Sequence, residues 1–200
     1  MGLDMYLMKV KRSNVLESKT MITLASDLYR KNDRNSIIFE AFEKLGLTYK
    51  YTRWEHVGEE TSLYKEVAYW RKANAIHKWI YENCAEKGQE DSEDIKVEKE
   101  HIEKLLADCK LVLEDLKTCP KTINKFQMGW KNGEPVYEDI ECYDSQVAKM
   151  FLPTQDGFFF GSTQYDSWYK DDLEYTVKQL TKILEETDFE NEDLWYYASY

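Results

Sequence analysis

The sequence predicts an α+β fold: a single compact domain over residues 1–200 in which about four helices pack on a small, mostly antiparallel sheet. Three observations lead to this prediction. Long segments have helical hydrophobic periodicity, shorter segments alternate or are rich in aromatic residues, and one Asn-Gly pair is typical of a β-hairpin turn. With 200 residues, 42% of them hydrophobic, the chain is long enough to bury one core. It contains no internal repeat or Pro/Gly-rich linker that would divide it.

The first elements follow from alternation and from turn residues. Residues 3–10 alternate well enough to predict a strand, whereas residues 13–34 leave the type of structure open. A short helix is predicted over 35–46, because a polar N-cap precedes its apolar stripe and a glycine ends it. The segment 47–57 is rich in Tyr, Thr and Trp and predicts a strand.

The central elements have clearer patterns. Helical spacing over 66–86 predicts a helix that ends at a Lys-Gly pair, and an acidic loop follows it. Residues 98–116 keep strict helical spacing, and Pro120 prevents a continuation. Two segments within 126–142 flank Asn132-Gly133, so we predict a β-hairpin there.

The C-terminal third begins with an aromatic segment, residues 156–163, that we predict to be extended. It leads into a helix capped by Ser162 or Thr163, which runs to about Glu186. Residues 195–200 are predicted to form a short terminal strand or tail.

Charge and composition exclude several classes of function. The formal net charge of −11 disfavours direct binding of nucleic acid and favours partners with a basic surface. We expect a cytoplasmic protein without a membrane span, because no signal peptide begins the sequence and no apolar run is long enough. The four cysteines are dispersed, so free thiols are expected rather than a zinc site.

Polar residues interrupt the apolar face of the predicted 66–86 helix. At 100° per residue Glu66, Asn74 and His77 lie in this face, with Trp70 beside them. In one interpretation His77 is a general acid or base, or a ligand donor, oriented by Asn74 or Glu66. In the other it is a core histidine with protein partners, which we favour because most buried polar side chains have such partners.

Two further acids occupy positions where apolar residues are expected. Asp4 lies in the first predicted strand and Asp172 in the last predicted helix, and both could converge with Glu66 and His77. None of the common metal-binding spacings occurs, so no metal and no cofactor is predicted.

The aromatic segment offers a possible nucleotide site. Phe158, Phe159 and Phe160 could present aromatic faces to a base, and the helix start at Ser162-Thr163 could receive a phosphate. The alternative, which we favour, is a strand buried on both faces. No phosphate-binding loop or dinucleotide motif is present.

Three segments carry a resemblance. Met1-Gly-Leu-Asp-Met-Tyr-Leu7, the segment 66–79 and the segment 152–169 resemble a family of small bacteriophage and prophage accessory proteins without established biochemistry. The resemblance also covers the 98–116 helix, whereas residues 13–60 and 117–146 look particular to this chain. Some relatives are called phosphoglycerate kinases, a name that this chain's length and lack of a nucleotide-binding pattern contradict.

The resemblance implies an accessory protein in the cytoplasm of a bacterial host. We therefore expect a stoichiometric binder or inhibitor of a host or antiviral-defence component, either a protein with a basic surface or a small nucleotide. The alternatives are a small enzyme acting on nucleotides, with His77 as general base, and an inhibitor that mimics DNA. No catalytic residue is assigned, and the oligomeric state stays open. The candidate ligand-binding residues are Asp4, Glu66, Trp70, Asn74, His77, Phe159, Ser162, Thr163, Trp168 and Asp172.

Overall fold

The computed structural model describes residues 2–12, 65–89 and 94–200, and these ranges form six strands and four helices. The predicted α+β class, with helices packed on a mostly antiparallel sheet, is confirmed. The predicted helix over 35–46 and strand over 47–57 lie outside the described residues, as does the segment 13–34. The strands are β1 (Asp4–Lys11), β2 (Lys65–Arg71), β3 (Ile95–Val97), β4 (Lys121–Lys131), β5 (Glu134–Tyr143) and β6 (Glu192–Ser199). The helices are α1 (Asn74–Cys84), α2 (Lys99–Leu116), α3 (Gln146–Phe151) and α4 (Ser167–Glu186).

Four of the strands form one antiparallel sheet in the order β2-β1-β6-β3. The predicted first strand is confirmed as β1. The predicted terminal strand is also present, but it begins earlier, at Glu192, and lies inside the sheet between β1 and β3. Alternate residues of these strands enter the hydrophobic core that the sheet shares with the helices, among them Met5, Leu7, Ala68, Trp70, Leu194, Tyr196 and Ala198.

The prediction of one helix over 66–86 is wrong in its first part. Residues 65–71 form β2, which pairs with β1, and the helix begins only at Asn74. Residues 67–70 form a short continuous apolar run, which periodicity alone assigns neither to a helix nor to a strand. In the structure Ala68 and Trp70 are the buried residues of β2, a spacing of two that is typical of a strand. The edge of β1 supplies hydrogen-bond partners that the sequence does not show. Lys72, with φ of 62°, separates the strand from the helix.

Helices α2 and α4 pack against each other. The predicted 98–116 helix is confirmed as α2, and α4 ends at Glu186 as predicted. The predicted helix start at Ser162 or Thr163 is wrong, because Asp166 caps α4 and the helix begins at Ser167. No helix in the described ranges is long and apolar enough to cross a membrane.

The predicted extended segment 156–163 is a loop with a turn, not a strand. The amide of Phe160 donates to the carbonyl of Gly157 over 3.1 Å, which closes the turn. Phe160 is buried, whereas the side chain of Phe158 is 96% exposed. A turn resolves the problem of three consecutive phenylalanines, because a strand would have pointed neighbours to opposite faces.

The predicted β-hairpin is confirmed and is longer than predicted, with β4 and β5 joined at Asn132-Gly133. Both turn residues have positive φ, 53° and 83°, as a two-residue hairpin turn requires. The register shifts between Gln127 and Gly129, which marks a β-bulge. Most of the hairpin is exposed to solvent.

Candidate functional site

A cleft of about 390 Å³ lies between the start of α1 and the start of α4. Its floor is formed by residues of the loop between α3 and α4, including Thr154, Gly161 and Ser162. The volume falls within the range of about 300–1,000 Å³ that is typical of small-molecule sites. The fold therefore brings together two helix starts and one loop that are distant in sequence.

The α1 wall of the cleft is positively charged. It consists of Arg71, Lys72 and residues 73–76. The side chain of Arg71 is 63% exposed and lies 3.9 Å from the carboxylate of Asp4. No side chain caps α1, so the positive end of the helix dipole adds to this wall.

Asn74 fastens the loop to α1. Its Nδ2 donates to the carbonyls of Phe160, over 3.0 Å, and Ser162, over 2.8 Å. Its Oδ1 accepts from the amide of Gln155 over 3.0 Å. Both donor hydrogens of the buried amide are thus used, and the residue positions the floor of the cleft.

The α4 wall contains an aromatic ring and a buried cap. Trp168 is 40% exposed, and the ring of Phe126 from the hairpin contacts it edge to face, with 5.7 Å between the ring centroids. Asp166 is buried and accepts from the amide of Tyr169 over 3.0 Å and from Ser162 Oγ over 3.3 Å. Our sequence reasoning missed Asp166, although Asp is as good an N-cap residue as Ser.

Asp172 lines the same wall, on the first turns of α4. Burial raises the pKa of its carboxyl group to about 7, and the negative charges of Asp166 and Asp171 contribute to the increase. Near neutral pH this group therefore exists in both protonation states, and it can either donate or accept a hydrogen bond.

His77 belongs to the core and does not line the cleft. The imidazole is 1% exposed, and its Nδ1 lies 2.7 Å from the hydroxyl of Tyr196 on β6. The ring of Phe160 contacts it edge to face, with 5.3 Å between centroids. The structure thus agrees with our preferred interpretation of His77 as a core histidine.

The other predicted residues lie outside the lining of the cleft. The hydroxyl of Tyr69 donates to Asp4 over 2.5 Å, and Trp70 Nε1 donates to Thr176 Oγ1 over 2.9 Å in the core. Glu66 is half-buried on β2 opposite Met8 of β1, so it does not share a helical face with His77.

The two predicted loop residues also make other contacts. The carbonyl of Thr163 accepts from Thr154 Oγ1, and the carbonyl of Phe159 accepts from the amide of Leu3. Of the ten candidates, the cleft brings together Asn74, Ser162, Trp168 and Asp172.

The four cysteines are free thiols that are buried or half-buried. Burial raises the pKa of Cys84 to about 12, and it also raises the pKa of Cys109, Cys119 and Cys142. Such thiols are poor nucleophiles at neutral pH. Within the described ranges, no group of three or more His, Cys, Asp or Glu is placed to hold a metal ion.

Comparisons with known proteins give no family assignment. No protein-family model matches the chain, and no curated protein or solved structure is significantly similar to it.

Proposed function

We propose that the protein is a stoichiometric binder of a small nucleotide, held in the cleft between α1 and α4. The observation that carries this proposal is the pairing of opposite walls: an exposed indole, Trp168, on one and two cations, Arg71 and Lys72, on the other. Any nucleobase can stack on an indole ring, and cations attract phosphate. The cleft volume suits a mononucleotide better than a larger ligand.

The placement of His77 favours binding over turnover. A general base must reach the proton that it removes, and the buried imidazole is engaged by Tyr196 outside the cleft. The cleft residues Asn74 and Asp166 also use their polar atoms to hold the loop and the helix.

In the biological role that we propose, a phage accessory protein in the bacterial cytoplasm sequesters a nucleotide signal of the host or of its antiviral defence. That role rests on the resemblance of the N-terminal, 66–79 and 152–169 segments.

Calorimetric titration with nucleoside monophosphates, cyclic mononucleotides and the unphosphorylated nucleosides tests the binding proposal. We expect one ligand per chain, and Trp168→Ala should weaken binding about 5- to 100-fold, in line with the energy of base stacking. Lys72→Ala should weaken the binding of phosphorylated ligands and leave the affinity for nucleosides unchanged.

The matched control is Trp130→Ala, which removes a more exposed indole far along the hairpin. It should leave nucleotide affinity unchanged. If none of these nucleotides binds, or if Trp168→Ala binds them as well as the unaltered protein, the proposal is wrong.

A second candidate function is a small enzyme that acts on nucleotides, with Asp172 rather than His77 transferring the proton. The observation in its favour is the pKa of about 7 of a carboxyl group that lines the cleft, a combination typical of catalytic acids and bases. Turnover distinguishes the two functions. An enzyme would convert a bound nucleotide, and Asp172→Asn would abolish conversion with affinity retained, whereas a binder would return the ligand unchanged.

A further inference from the structure

The β4–β5 hairpin has one outward face with three large apolar side chains. It forms its own two-stranded sheet among the described residues, attached at its base through Tyr143, whose amide donates to the carbonyl of Tyr165 over 2.7 Å. In the register of the hairpin, Phe126, Ile140 and Cys142 share the inner face, where Phe126 contacts Trp168. The opposite face carries Ile123, Trp130 and Tyr137, which are 63%, 71% and 54% exposed.

Such a hairpin is expected to have a partner. Large apolar side chains that are exposed on one face, here Trp130 and Tyr137 near the turn, often mark an interaction surface. The outward face contains no glycine and no break apart from the bulge between Gln127 and Gly129. It therefore offers a strip about 35 Å long for packing against another sheet.

The charges of the two strands are separated by sign. All the charged residues of β4 are lysines, and all those of β5 are acids. On the outward face Lys121 and Lys125 belong to β4, whereas Asp139 and Glu141 belong to β5. Because Lys125 pairs in register with Asp139, the two residues lie at the same height along the hairpin. The charge pattern of the outward face is therefore complementary to that of an identical face on a second copy.

We propose that the outward face of the β4–β5 hairpin binds the same face of a second copy of this chain, about a two-fold axis parallel to the hairpin. This axis places each β4 over the β5 of the other copy, so Lys125 meets Asp139 of the second copy and Trp130 meets Pro135 of the second copy. An axis perpendicular to the strands would instead place lysines over lysines.

The size of the face predicts a weak dimer. A strip of roughly 35 by 10 Å is smaller than the ~800 Å² per partner of a standard stable interface. The net charge of −11 on each copy also opposes association, and salt screens this repulsion. Added salt also screens the attraction between Lys125 and Asp139 of the two copies, so we expect a dimer that dissociates on dilution.

Sedimentation velocity of the full chain over a wide range of concentration tests the proposal. The unaltered protein should shift from monomer to dimer, and Trp130→Ser should raise the dissociation constant at least about tenfold, as expected for a large aromatic side chain buried in an interface. Met150→Ser is the matched control, since Met150 is 74% exposed on α3 and lies outside the hairpin; it should not change the dissociation constant.

Charge reversal tests the orientation of the two copies. The variant with Lys121→Glu and Lys125→Glu should be monomeric, and so should the variant with Asp139→Lys and Glu141→Lys. An equimolar mixture of the two should form a heterodimer, although both keep a net negative charge. Circular dichroism and one-dimensional NMR spectra establish that each variant is folded. A chain that stays monomeric at every concentration overturns the proposal, and so does a dimer that Trp130→Ser leaves intact or a mixture that fails to associate.

Discussion

Asp166 and Asp172 lie six positions apart at the start of α4, and their surroundings give them different roles. The carboxylate of Asp166 is buried and accepts hydrogen bonds from the Tyr169 amide and from Ser162 Oγ. Asp172 lies at the cleft, and burial with two neighbouring acids raises its pKa to about 7. One carboxylate therefore holds the structure together, whereas the other costs stability whenever it is ionised.

The raised pKa of Asp172 predicts a pH-dependent stability. Because the folded chain retains a proton that the unfolded chain loses above pH about 4, the contribution of this proton is present at acidic pH and disappears as the pH rises through about 7. Asp172→Asn should match the unaltered protein near pH 4 and exceed its free energy of unfolding by about 2–4 kcal/mol near pH 8. Urea unfolding at several pH values measures this difference.

The control for that experiment is Glu185→Gln, which neutralises an exposed carboxylate near the C-terminal end of the same helix, away from Asp172. It should change the free energy of unfolding by at most about 0.5 kcal/mol at either pH. If Asp172→Asn shows no stabilisation at alkaline pH, the carboxyl group titrates normally and its assignment as the proton-transfer candidate fails with it.

Asn74 provides a second prediction at the same scale. Asn74→Ala removes three hydrogen bonds between α1 and the loop and leaves two carbonyls and one amide without this partner, so unfolding should become easier by about 2–4 kcal/mol. Asn83→Ala, which removes an asparagine from the other end of α1, is the matched control and should cost much less because its partners are more exposed. Thermal or urea unfolding measures both. Equal losses would show that Asn74 does not fasten the loop.

At the scale of elements, the sequence is most informative where a pattern is long. The apolar residues of α2 repeat over 18 residues, and Asn132-Gly133 has few structural alternatives, so both elements could be predicted. The seven residues of β2 fit a helix and a strand equally well, and only the neighbouring edge of β1 decides between them. Pairing between distant strands is a tertiary interaction that one sequence does not contain.

The start of α4 gives a prediction at this scale. Asp166→Ala removes the acceptor of the Tyr169 amide and of Ser162 Oγ, so the free energy of unfolding should fall by about 1–2 kcal/mol, the usual contribution of a helix cap. Ser162→Ala and Thr163→Ala, at the positions predicted from sequence, should each cost less. Helicity from circular dichroism together with urea unfolding measures the order. A larger loss at Ser162 or Thr163 would contradict the helix start at Ser167.

At the scale of the whole molecule, the candidate site depends on which distant segments meet. The cleft joins residues 71–76 to residues 154–173, and the hydrogen bonds of Asn74 hold the loop against α1. The polar character of Asn74, Trp168 and Asp172 could be recognised in the sequence, but their proximity could not. His77 was selected by the same reasoning, and the fold places it against Tyr196 in the core.

The molecule should also open in two separate units. Strand β1 pairs on both sides, with β2 and β6, and its Met5 and Leu7 are buried, so its amides should exchange with solvent only when the whole domain unfolds. The outer part of the hairpin pairs only with itself among the described residues and is exposed. In dilute protein its amides should exchange through local opening, with rates that hardly depend on added denaturant. Native-state hydrogen exchange by NMR measures both. Hairpin amides as well protected as those of β1 in monomeric protein would mean that the hairpin unfolds with the core, since no second copy is then available to protect it.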